Sequence, residues 1–559
     1  MTTDILSLPY LSYPNPRMRR EAYTLLNGIW DFEFLTEMKI PDDFTRKIRV
    51  PFTYETEYSL IHDSTLHEYI GYRRMFKTER NNYLLHFEGI DYEAKVYIDR
   101  KEVATHKGAY TSFEISLDLE EGNHELIVLV HDTYSKSQMR GKQRTRGENY
   151  ECWYTQFTGI FKDVYLEKVG KKYVKSILVD GDKYGKWHYD IKLSEKADIL
   201  VTLSLEGKTI KEISLSEKKE YKGEEIEKEF RLYSSSSPVL YDLSVEIKGE
   251  DKLSTYFGFR TIEAREEKIF INDEELYLRM ILDQGYYDKK GVTPEKEDII
   301  KDLSLIHEIG FNGIRIHQKQ ESNLFYYIAD AIGLYLWSEM PSCYEYSLEM
   351  KEEIESSLPS IIEKNYNSPS VLSYVLFNES WGIPTINHDK ECQNFVNAIG
   401  KMTKENDKTR LVILNDGWFQ LTGTEILSLH EYEQNSQVLN DEYQDKNNVV
   451  SNKIINHYGK AFSENNHYQN QPIILSEFGG ASLTSSDGWG YGEKRESIND
   501  YKNQLVNIFS AVRKLNYLSG YCYTQLSDVE QETNGLFYID RTPKIPLNEM
   551  RKIILGGDK

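Results

Sequence analysis

The fold is decided by two short apolar runs that each carry a glutamate, VLFNES (375–380) and PIILSEFGG (472–480). A continuous run of Val, Leu and Ile without alternation is typical of a strand covered on both faces, and helical patterns flank both runs. In a parallel β/α barrel the carboxyl ends of the strands form the mouth of the active site. Glu379 and Glu477 at these strand ends therefore indicate chemistry rather than packing.

Two such glutamates on separate strands are the equipment that a retaining glycosidase needs. One carboxyl group donates and recovers a proton, and the other attacks the sugar. Because a bare charge is costly to bury after Val-Leu-Phe, we expect Glu379 to be functional or paired with an arginine. A general acid needs a raised pKa, and a nearby ionised carboxylate in a dry pocket would raise the pKa of Glu379.

Composition narrows the class of protein. Of 559 residues, 39% are apolar and 28% charged, which allows several domains with a core in each. The net charge of −22 argues against nucleic acid and anionic membranes as partners. No apolar stretch approaches a transmembrane span, and the start MTTDILSLPYLSYPNP lacks a signal-peptide pattern. The four widely spaced cysteines show no paired metal spacing, so we expect free thiols in a cytoplasmic protein.

Three successive regions differ in pattern. Residues 1–170 contain short aromatic and β-branched runs such as NYLLHFEGI and HELIVLV, which predict a jelly-roll β-sandwich. Residues 171–264 are rich in Lys and Glu, and the alternation from Ile199 to Leu205 predicts a half-buried strand of an Ig-like sandwich. The charged run KEISLSEKKEYKGEEIEKEF (211–230) is interpreted as solvated faces and loops.

From residue 265 to 559 strands alternate with helical patterns, which predicts a (β/α)8 barrel. Thr293-Pro294 is expected to start the first helix, and Gly333 to end the second. The eight predicted strands are LYLRMILDQ, GFNGIRIH, LYLWSEMP, SVLSYVLFNES, RLVILND, EILSLHEY, PIILSEFGG and LSGYCYTQLSD.

Several motifs together resemble glycoside hydrolase family 2, the family of β-galactosidases, β-glucuronidases and β-mannosidases. LNGIWDFEF (26–34) and TGIFKDVYLE (158–167) look like the start and end of the family's jelly roll, and YFGFR (256–260) like the close of its Ig-like domain. Asn378-Glu379 is similar to the family's acid/base motif, and SEFGG places Glu477 at its nucleophile. The resemblance covers essentially the whole chain.

The resemblance implies a role for the two residues nearest the glutamates. Asn378 would bond the sugar 2-hydroxyl, a contact that strengthens in the transition state. Tyr432 aligns with a family tyrosine that contacts the nucleophile and would keep it ionised, with a core tyrosine as the alternative. His430, two residues earlier, is interpreted as a satisfied core histidine.

Substrate contacts are also expected at the first two strands. Asp283 would bind a remote hydroxyl, assisted by Gln284, unless it is a capping or loop aspartate. Arg315 is expected to pair with a barrel carboxylate such as Glu339 rather than to touch substrate. Gln318 stands where the family has histidine, with His317 one place earlier, a shift that would reverse the face that the histidine occupies.

Aromatic residues beyond the strand ends are candidate sugar platforms. Trp381, Trp418 and Trp489 follow strands four, five and seven, and at least one should line the pocket while the others pack loops. The resemblance places Tyr523 in an aromatic pocket wall. The loop SKSQMRGKQRTRGENYECWYTQFTGIF (135–161) carries three arginines, Trp153 and Tyr154. These side chains either reach the cleft of another domain, or the segment is a solvated basic loop.

Substrate identity is the open part of the sequence analysis. The glucuronidase subgroup carries Asn-x-Lys after strand eight, whereas here Asn534 is followed by Leu536, so a uronate would lose a charged partner unless Arg144 or Arg146 replaces it. A β-galactoside is therefore the leading expectation, ahead of β-glucuronide and β-mannoside. A carbohydrate-binding pseudoenzyme is the alternative of another class, although both glutamates are present. We expect no cofactor, with Mg²⁺ or Na⁺ suggested by resemblance only; a homo-oligomer is compatible with the sequence.

Overall fold

The computed structural model of the chain describes residues 5–454 and 459–557. Its N-terminal part is a sandwich of a six-stranded sheet, ordered β3-β2-β4-β10-β7-β8, and a four-stranded sheet, ordered β1-β12-β5-β9. The predicted jelly-roll class is confirmed. The strands are β1 (Tyr23–Leu25), β2 (Gly28–Leu35), β3 (Arg46–Val50), β4 (Tyr69–Thr78), β5 (Asn81–Phe87), β6 (Ile90–Asp91), β7 (Glu93–Ile98), β8 (Lys101–Lys107), β9 (Phe113–Leu119), β10 (Gly122–His131), β11 (Gly159–Ile160) and β12 (Val164–Val169).

The second sandwich follows from strict alternation in sequence. Ile199, Val201 and Leu203 are buried, because every second side chain of a strand faces the same side. The charged run 211–230 lies mostly in a long, largely exposed strand rather than in loops, and this strand pairs with its neighbour along nearly its whole length. The strands are β13 (Val174–Gly181), β14 (Lys186–Leu205), β15 (Lys208–Ile226), β16 (Tyr241–Ile247) and β17 (Asp251–Phe257).

A small three-stranded sheet leads into the barrel. It consists of β18 (Ile262–Arg265), β19 (Lys268–Ile271) and β20 (Glu274–Glu275). All eight predicted barrel strands are present, and each hydrogen-bonded pair of neighbours is parallel, in the order β25-β24-β23-β22-β21-β28-β27-β26. They are β21 (Leu278–Asp283), β22 (Gly313–Ile316), β23 (Tyr335–Glu339), β24 (Val371–Val375), β25 (Leu411–Ile413), β26 (Leu427–Glu431), β27 (Ile473–Gly479) and β28 (Leu518–Thr524).

The barrel helices differ from the sequence prediction in two places. Helix α1 begins at Lys296 with Glu295 as a capping-box N-cap, because the Thr293 hydroxyl instead donates to the carbonyl of Phe161, 3.0 Å away. Residues 414–426 connect β25 to β26 without a helix. The helices are α1 (Lys296–Glu308), α2 (Asn323–Ile332), α3 (Leu348–Asn365), α4 (Lys390–Asn406), α5 (Ser436–Tyr443), α6 (Lys446–Val450), α7 (Ile498–Lys514) and α8 (Leu547–Leu555).

The prediction that α2 stops at Gly333 is confirmed, since this residue takes the left-handed conformation with φ of 78°. Within the described residues, no helix combines the length and the apolar character that a membrane span requires.

Candidate active site

Glu379 enters the barrel mouth from a strained turn after β24. Its backbone φ is +52°, and that of Ser380 is +60°, values that are uncommon for residues other than glycine. The turn is held by the bond from the Glu379 amide to the carbonyl of Asp416, at 2.9 Å, and from the Ser380 amide to Asn415 Oδ1, at 3.0 Å. These contacts to the end of β25 fix a carboxylate that remains partly exposed to the pocket.

Glu477 lies on β27 opposite Glu379, and both oxygens of its carboxylate have partners. Arg315 Nη1 donates to Oε1 at 2.9 Å, and the Tyr432 hydroxyl donates to Oε2. One oxygen of Glu477 lies within 4.8 Å of an oxygen of Glu379. The two carboxylates thus face each other across a single gap, and the predicted contact of Tyr432 with Glu477 is present.

Arg315 links this carboxylate to the rest of the barrel interior. The fully buried guanidinium bonds Glu339 Oε2 at 2.9 Å, as expected, and also lies 2.5 Å from Asp416 Oδ2. Its Nη2 donates to Asn378 Oδ1 at 2.8 Å. The Asn378 side-chain oxygen is therefore occupied, and its Nδ2 has no bonding partner within residues 5–454 and 459–557.

His430 is buried as expected, but it belongs to the site rather than to an apolar core. Its Nδ1 lies 2.8 Å from Glu379 Oε1, and its Nε2 lies 3.0 Å from Asp416 Oδ2 and 3.4 Å from Glu477 Oε1. Burial alone would lower the pKa of His430, but the charges of Glu477 and Asp416 raise it to about 10. The imidazole is therefore positively charged near neutral pH.

This charge reverses the expectation for the acidity of Glu379. Burial favours the neutral acid, but the hydrogen bond and charge of His430, with Lys142 and His317 further off, lower the pKa of Glu379 below its ordinary value. The expected rise was wrong because the sequence did not show that a cation stands beside Glu379.

The residues predicted on the first two strands, Asp283 and Gln318, are both buried. Asp283 is buried with Oδ1 accepting from the Gly285 amide at 2.9 Å, and its Oδ2 has no partner within the described residues. Burial, with Asp302 next, raises the pKa of Asp283 to about 6. Gln318 accepts from the Tyr344 hydroxyl at 3.1 Å, and it lines a cavity of about 440 Å³ between the N-terminal sandwich and the barrel.

The predicted tryptophans take different positions. Trp381 donates from Nε1 to Glu379 Oε2 at 3.3 Å, so its ring lies beside the candidate acid. Trp418 packs edge-on against the imidazole of His430 at 5.6 Å between ring centroids. Trp489 is bonded through Nε1 to the carbonyl of Glu151 at 2.8 Å, so it joins two domains.

Tyr523 does not form the pocket wall that the resemblance implied. Its ring stacks on Phe509 of α7 at 5.2 Å, outside the barrel. The neighbours on β28 face the other way, since Thr524 Oγ1 accepts from the Tyr432 hydroxyl at 3.2 Å. A one-residue alternation along the strand therefore places Tyr523 between sheet and helix.

The N-terminal loop does reach the site, but through a lysine rather than an arginine. Arg140 and Arg144 are buried and bonded within their own domain, and Arg146 is about half exposed against Tyr150. Lys142 instead lies near the acids: burial lowers its pKa, but Cys152, Glu532 and Glu379 raise it above the ordinary value. Trp153 of the same loop packs edge-on against Trp381 at 5.1 Å.

Sequence reasoning also missed Tyr491, Glu532 and Asp416. Tyr491 stacks on Tyr432 at 3.4 Å, and Glu532 accepts from the Tyr154 hydroxyl and from Asn534 Nδ2 at 2.9 Å. Asp416 ends RLVILND, one of the predicted strands, so its position just after an apolar run was a signal comparable to that of Glu379. For Tyr491 and Glu532, which lie in loops, we find no such signal.

A resident Mg²⁺ or Na⁺ does not fit the donor set. Glu379, His430 and Glu477 each present a donor atom within 4.8 Å of the others. Hard cations prefer oxygen ligands, whereas here both imidazole nitrogens face carboxylates and Arg315 already bonds Glu477. The carboxylates have protein cations as partners.

Comparison with known proteins places the chain in a family. The sequence model described as "Glycosyl hydrolases family 2, TIM barrel domain" matches residues 262–556, more than half of the chain. The protein is therefore a member of glycoside hydrolase family 2, as the motifs indicated.

Individual relatives are distant and differ in name. A β-galactosidase of Clostridium acetobutylicum is 25% identical over 333 residues, covering 53% of this chain and 36% of that protein. A β-glucuronidase of Streptococcus agalactiae is 22% identical, with 97% of both chains covered. The crystal structure of a β-galacturonidase from Eisenbergiella tayi bound to galacturonate superposes with a TM-score of 0.78 at 18% identity, covering 97% of this chain and 98% of that one. The chain spans 36–47% of the length of several relatives.

Proposed function

We propose that the protein is a retaining, exo-acting β-glycosidase that releases a terminal β-linked sugar. The observation that carries the proposal is the separation of the two carboxylates, whose closest oxygens lie within 4.8 Å. Retaining glycosidases place their carboxyl groups roughly 5–5.5 Å apart, whereas inverting ones leave about 6.5–9.5 Å for a water molecule. The short distance between the oxygens of Glu379 and Glu477 supports the retaining arrangement.

In the proposed reaction Glu477 attacks the anomeric carbon while Glu379 gives a proton to the departing oxygen. Arg315 and Tyr432 orient the attacking carboxylate, each by one hydrogen bond. Water then attacks the glycosyl-enzyme, and Glu379 accepts its proton. The unoccupied Nδ2 of Asn378 is the group that would bond the sugar 2-hydroxyl.

A β-galactoside is our leading substrate, because the cations available to a uronate are few. Leu536 replaces the lysine of the glucuronidase motif, and Asn534 is bonded to Glu532 and to Gln525. Arg144 is engaged by Gln156 and Asn149. The carboxylates that surround the pocket therefore disfavour an additional negative charge on the sugar.

A β-glucuronide is the second candidate, and Lys142 is the observation that favours it. Its side chain comes from the N-terminal loop and lies near Glu379 and Glu532, and the described residues place no carboxylate within 4.0 Å of its ammonium. A uronate carboxylate bound here would gain a charge-assisted partner. The relatives named above include glucuronidases as well as galactosidases.

A panel of aryl β-glycosides tests the proposal, with galactoside, glucuronide, glucoside, mannoside and arabinoside as members. We expect hydrolysis of the galactoside, with the β-anomer of the sugar as the first product seen by proton NMR. First release of the α-anomer would contradict the retaining mechanism. Absence of hydrolysis across the panel would favour the carbohydrate-binding pseudoenzyme.

A further inference from the structure

The His430 ring is positioned between the two glutamates by several elements of the barrel. Among the described residues, the groups that face it include Glu379 after β24, Asp416 and Trp418 after β25, Glu477 on β27 and Arg315 on β22, whose Nη1 lies 3.4 Å from Nε2. Gly417 leaves space for the ring, because a Cβ at this residue would lie 2.9 Å from Nδ1. The imidazole is thus fixed in one orientation.

Both ring nitrogens are directed at carboxylate oxygens, which determines how many protons the cluster holds. A neutral imidazole has one N–H donor and one lone pair, and a lone pair facing an ionised carboxylate is repulsive. Nδ1 lies 2.8 Å from Glu379 Oε1 and Nε2 lies 3.0 Å from Asp416 Oδ2, so an imidazolium, with an N–H on each nitrogen, donates to both carboxylates. The Nδ1 proton lies on His430 or on Glu379, and the short distance allows it to move between them.

We propose that His430 is a positioning residue that stores the proton which Glu379 delivers to the leaving group. This inference rests on the proposed retaining reaction. In the first step Glu477 bonds to the anomeric carbon, the glycosidic bond breaks, and the leaving oxygen takes a proton from Glu379. Glu379 takes that proton from Nδ1 of His430, so Glu379 ends ionised and His430 neutral.

The second step returns the proton. Water attacks the anomeric carbon, the bond to Glu477 breaks, and the proton of the water passes through Glu379 to Nδ1. The cycle conserves charge. In the first step His430 loses its positive charge while Glu477 loses its negative charge by forming the ester, and in the second step both charges return. Because the ionised Glu477 is the strongest attraction for the His430 proton, forming the ester releases that proton when the leaving group requires it.

The pH dependence of the wild type is the first test. With His430 as the proton store, the pair keeps its proton until the pKa of His430, about 10, is approached. Lys142 and His317 also act on Glu379, and both favour its ionised form. We expect kcat/KM for an aryl glycoside with a poor leaving group to stay constant as the pH is raised to 8 and above. A fall centred near pH 5–6 would overturn the proposal.

His430→Gln is the second test, since glutamine retains a hydrogen-bond donor but stores no proton. We expect kcat/KM to fall about 100-fold for a phenyl glycoside, the usual contribution of general acid catalysis, and by less than about 3-fold for a dinitrophenyl glycoside, which needs no proton. The alkaline limb for the phenyl glycoside should move down by at least about 2 pH units, because Glu379 must then be protonated from solution. A structural role alone would lower the rate without moving this limb.

Two controls keep the test decisive. His124→Gln changes a histidine of the N-terminal sandwich that bonds Asp99 at 2.7 Å, and we expect wild-type rates and pH profile. Trapping of the glycosyl-enzyme with an activated 2-deoxy-2-fluoro glycoside shows whether His430→Gln is folded. If the variant is not folded, the pH profile of the wild type still tests the inference. If the wild type is active and the alkaline limb of the His430→Gln profile does not move, only this inference is refuted. If the wild type is inactive on every glycoside, the proposed function is refuted.

Discussion

Two buried arginines of the barrel show how the site differs from ordinary packing. Arg541 meets one acid, Asp302, through two parallel hydrogen bonds of 2.9 Å each. Arg315 meets three, because Glu339, Asp416 and Glu477 all lie within 2.9 Å of its guanidinium. The first cluster pairs one cation with one acid, whereas in the second three acids surround one arginine.

This difference in the ratio of acids to cations separates a structural pair from the candidate catalytic centre. A one-to-one pair is satisfied and has no further chemistry to perform. A cation that is outnumbered by acids leaves carboxylates available to attack or to exchange a proton. Glu55 of the N-terminal sandwich is a third case, a buried acid with no cation: among the described residues its Oε2 has no hydrogen-bond partner, and its Oε1 accepts from the neutral Gln156 at 3.5 Å.

Removing the attacking carboxylate should have the largest effect. Glu477→Gln retains the size of the side chain but cannot form the glycosyl ester, so we expect kcat on an aryl glycoside to fall about 10⁴-fold or more. Circular dichroism and thermal unfolding should stay close to the wild type. Activity within a few-fold of the wild type would show that Glu477 is not the nucleophile.

Exchanging the arginines for lysine compares the two clusters directly. Lysine has no planar fork, so Arg315→Lys cannot hold three acids and Asn378 together, and we expect kcat to fall about 100- to 1,000-fold. Arg541→Lys should lose stability but keep the kcat of the folded enzyme. Active-site titration and steady-state kinetics measure kcat per folded enzyme. Equal losses of kcat in both variants would contradict the distinction between the two clusters.

Tyr432→Phe should have a smaller effect, because one donor to Glu477 is lost and Arg315 remains. We expect kcat/KM to fall about 10- to 100-fold, the range for one electrostatic contact at a reacting group. Tyr523→Phe is the matched control, and its ring outside the barrel predicts unchanged kinetics. A large loss in Tyr523→Phe would show that this tyrosine faces the sugar.

The last effect is on stability rather than on rate, and it concerns Glu55. Burial raises the pKa of Glu55 to about 8 from an ordinary 4.5, so the folded state holds a proton that the unfolded chain releases. Raising the pH from about 4.5 to about 8 therefore destabilises the fold, and Glu55→Gln should remove a penalty of roughly 4 kcal/mol at pH 8. Thermal unfolding of both proteins at pH 5 and pH 8 measures it. A variant whose advantage does not grow with pH would contradict a neutral, buried Glu55.

The elements carrying strong local signals could be predicted from the sequence. Eight apolar runs gave eight strands, and a glutamate near the end of each of two runs gave the candidate catalytic pair, because a carboxylate directly after a buried strand must be paired or functional. The helix boundary at Thr293 was wrong, since a hydroxyl that could cap a helix was engaged by another domain. The helix expected after RLVILND was wrong as well, because 414–426 forms an irregular connection.

The remaining site residues depend on contacts between distant parts of the chain. His430 could be placed on a strand, but that its ring meets Glu379 follows only from the closure of the barrel. Tyr523 was assigned to the wrong face because every residue of β28 is buried, so the sequence shows no alternation that marks the inner side. Lys142 was overlooked because charge in a basic loop does not reveal which cation turns inward.

The loop that carries Lys142 and Trp153 belongs to a different domain from the two glutamates. The candidate catalytic carboxylates are held by barrel strands, whereas Trp153, which packs against Trp381, comes from a connection in a separate sandwich. Under the proposed function, changes in that connection can alter which glycoside is admitted while Glu379 and Glu477 stay in place. Preference and chemistry would then rest on two different modules of one polypeptide.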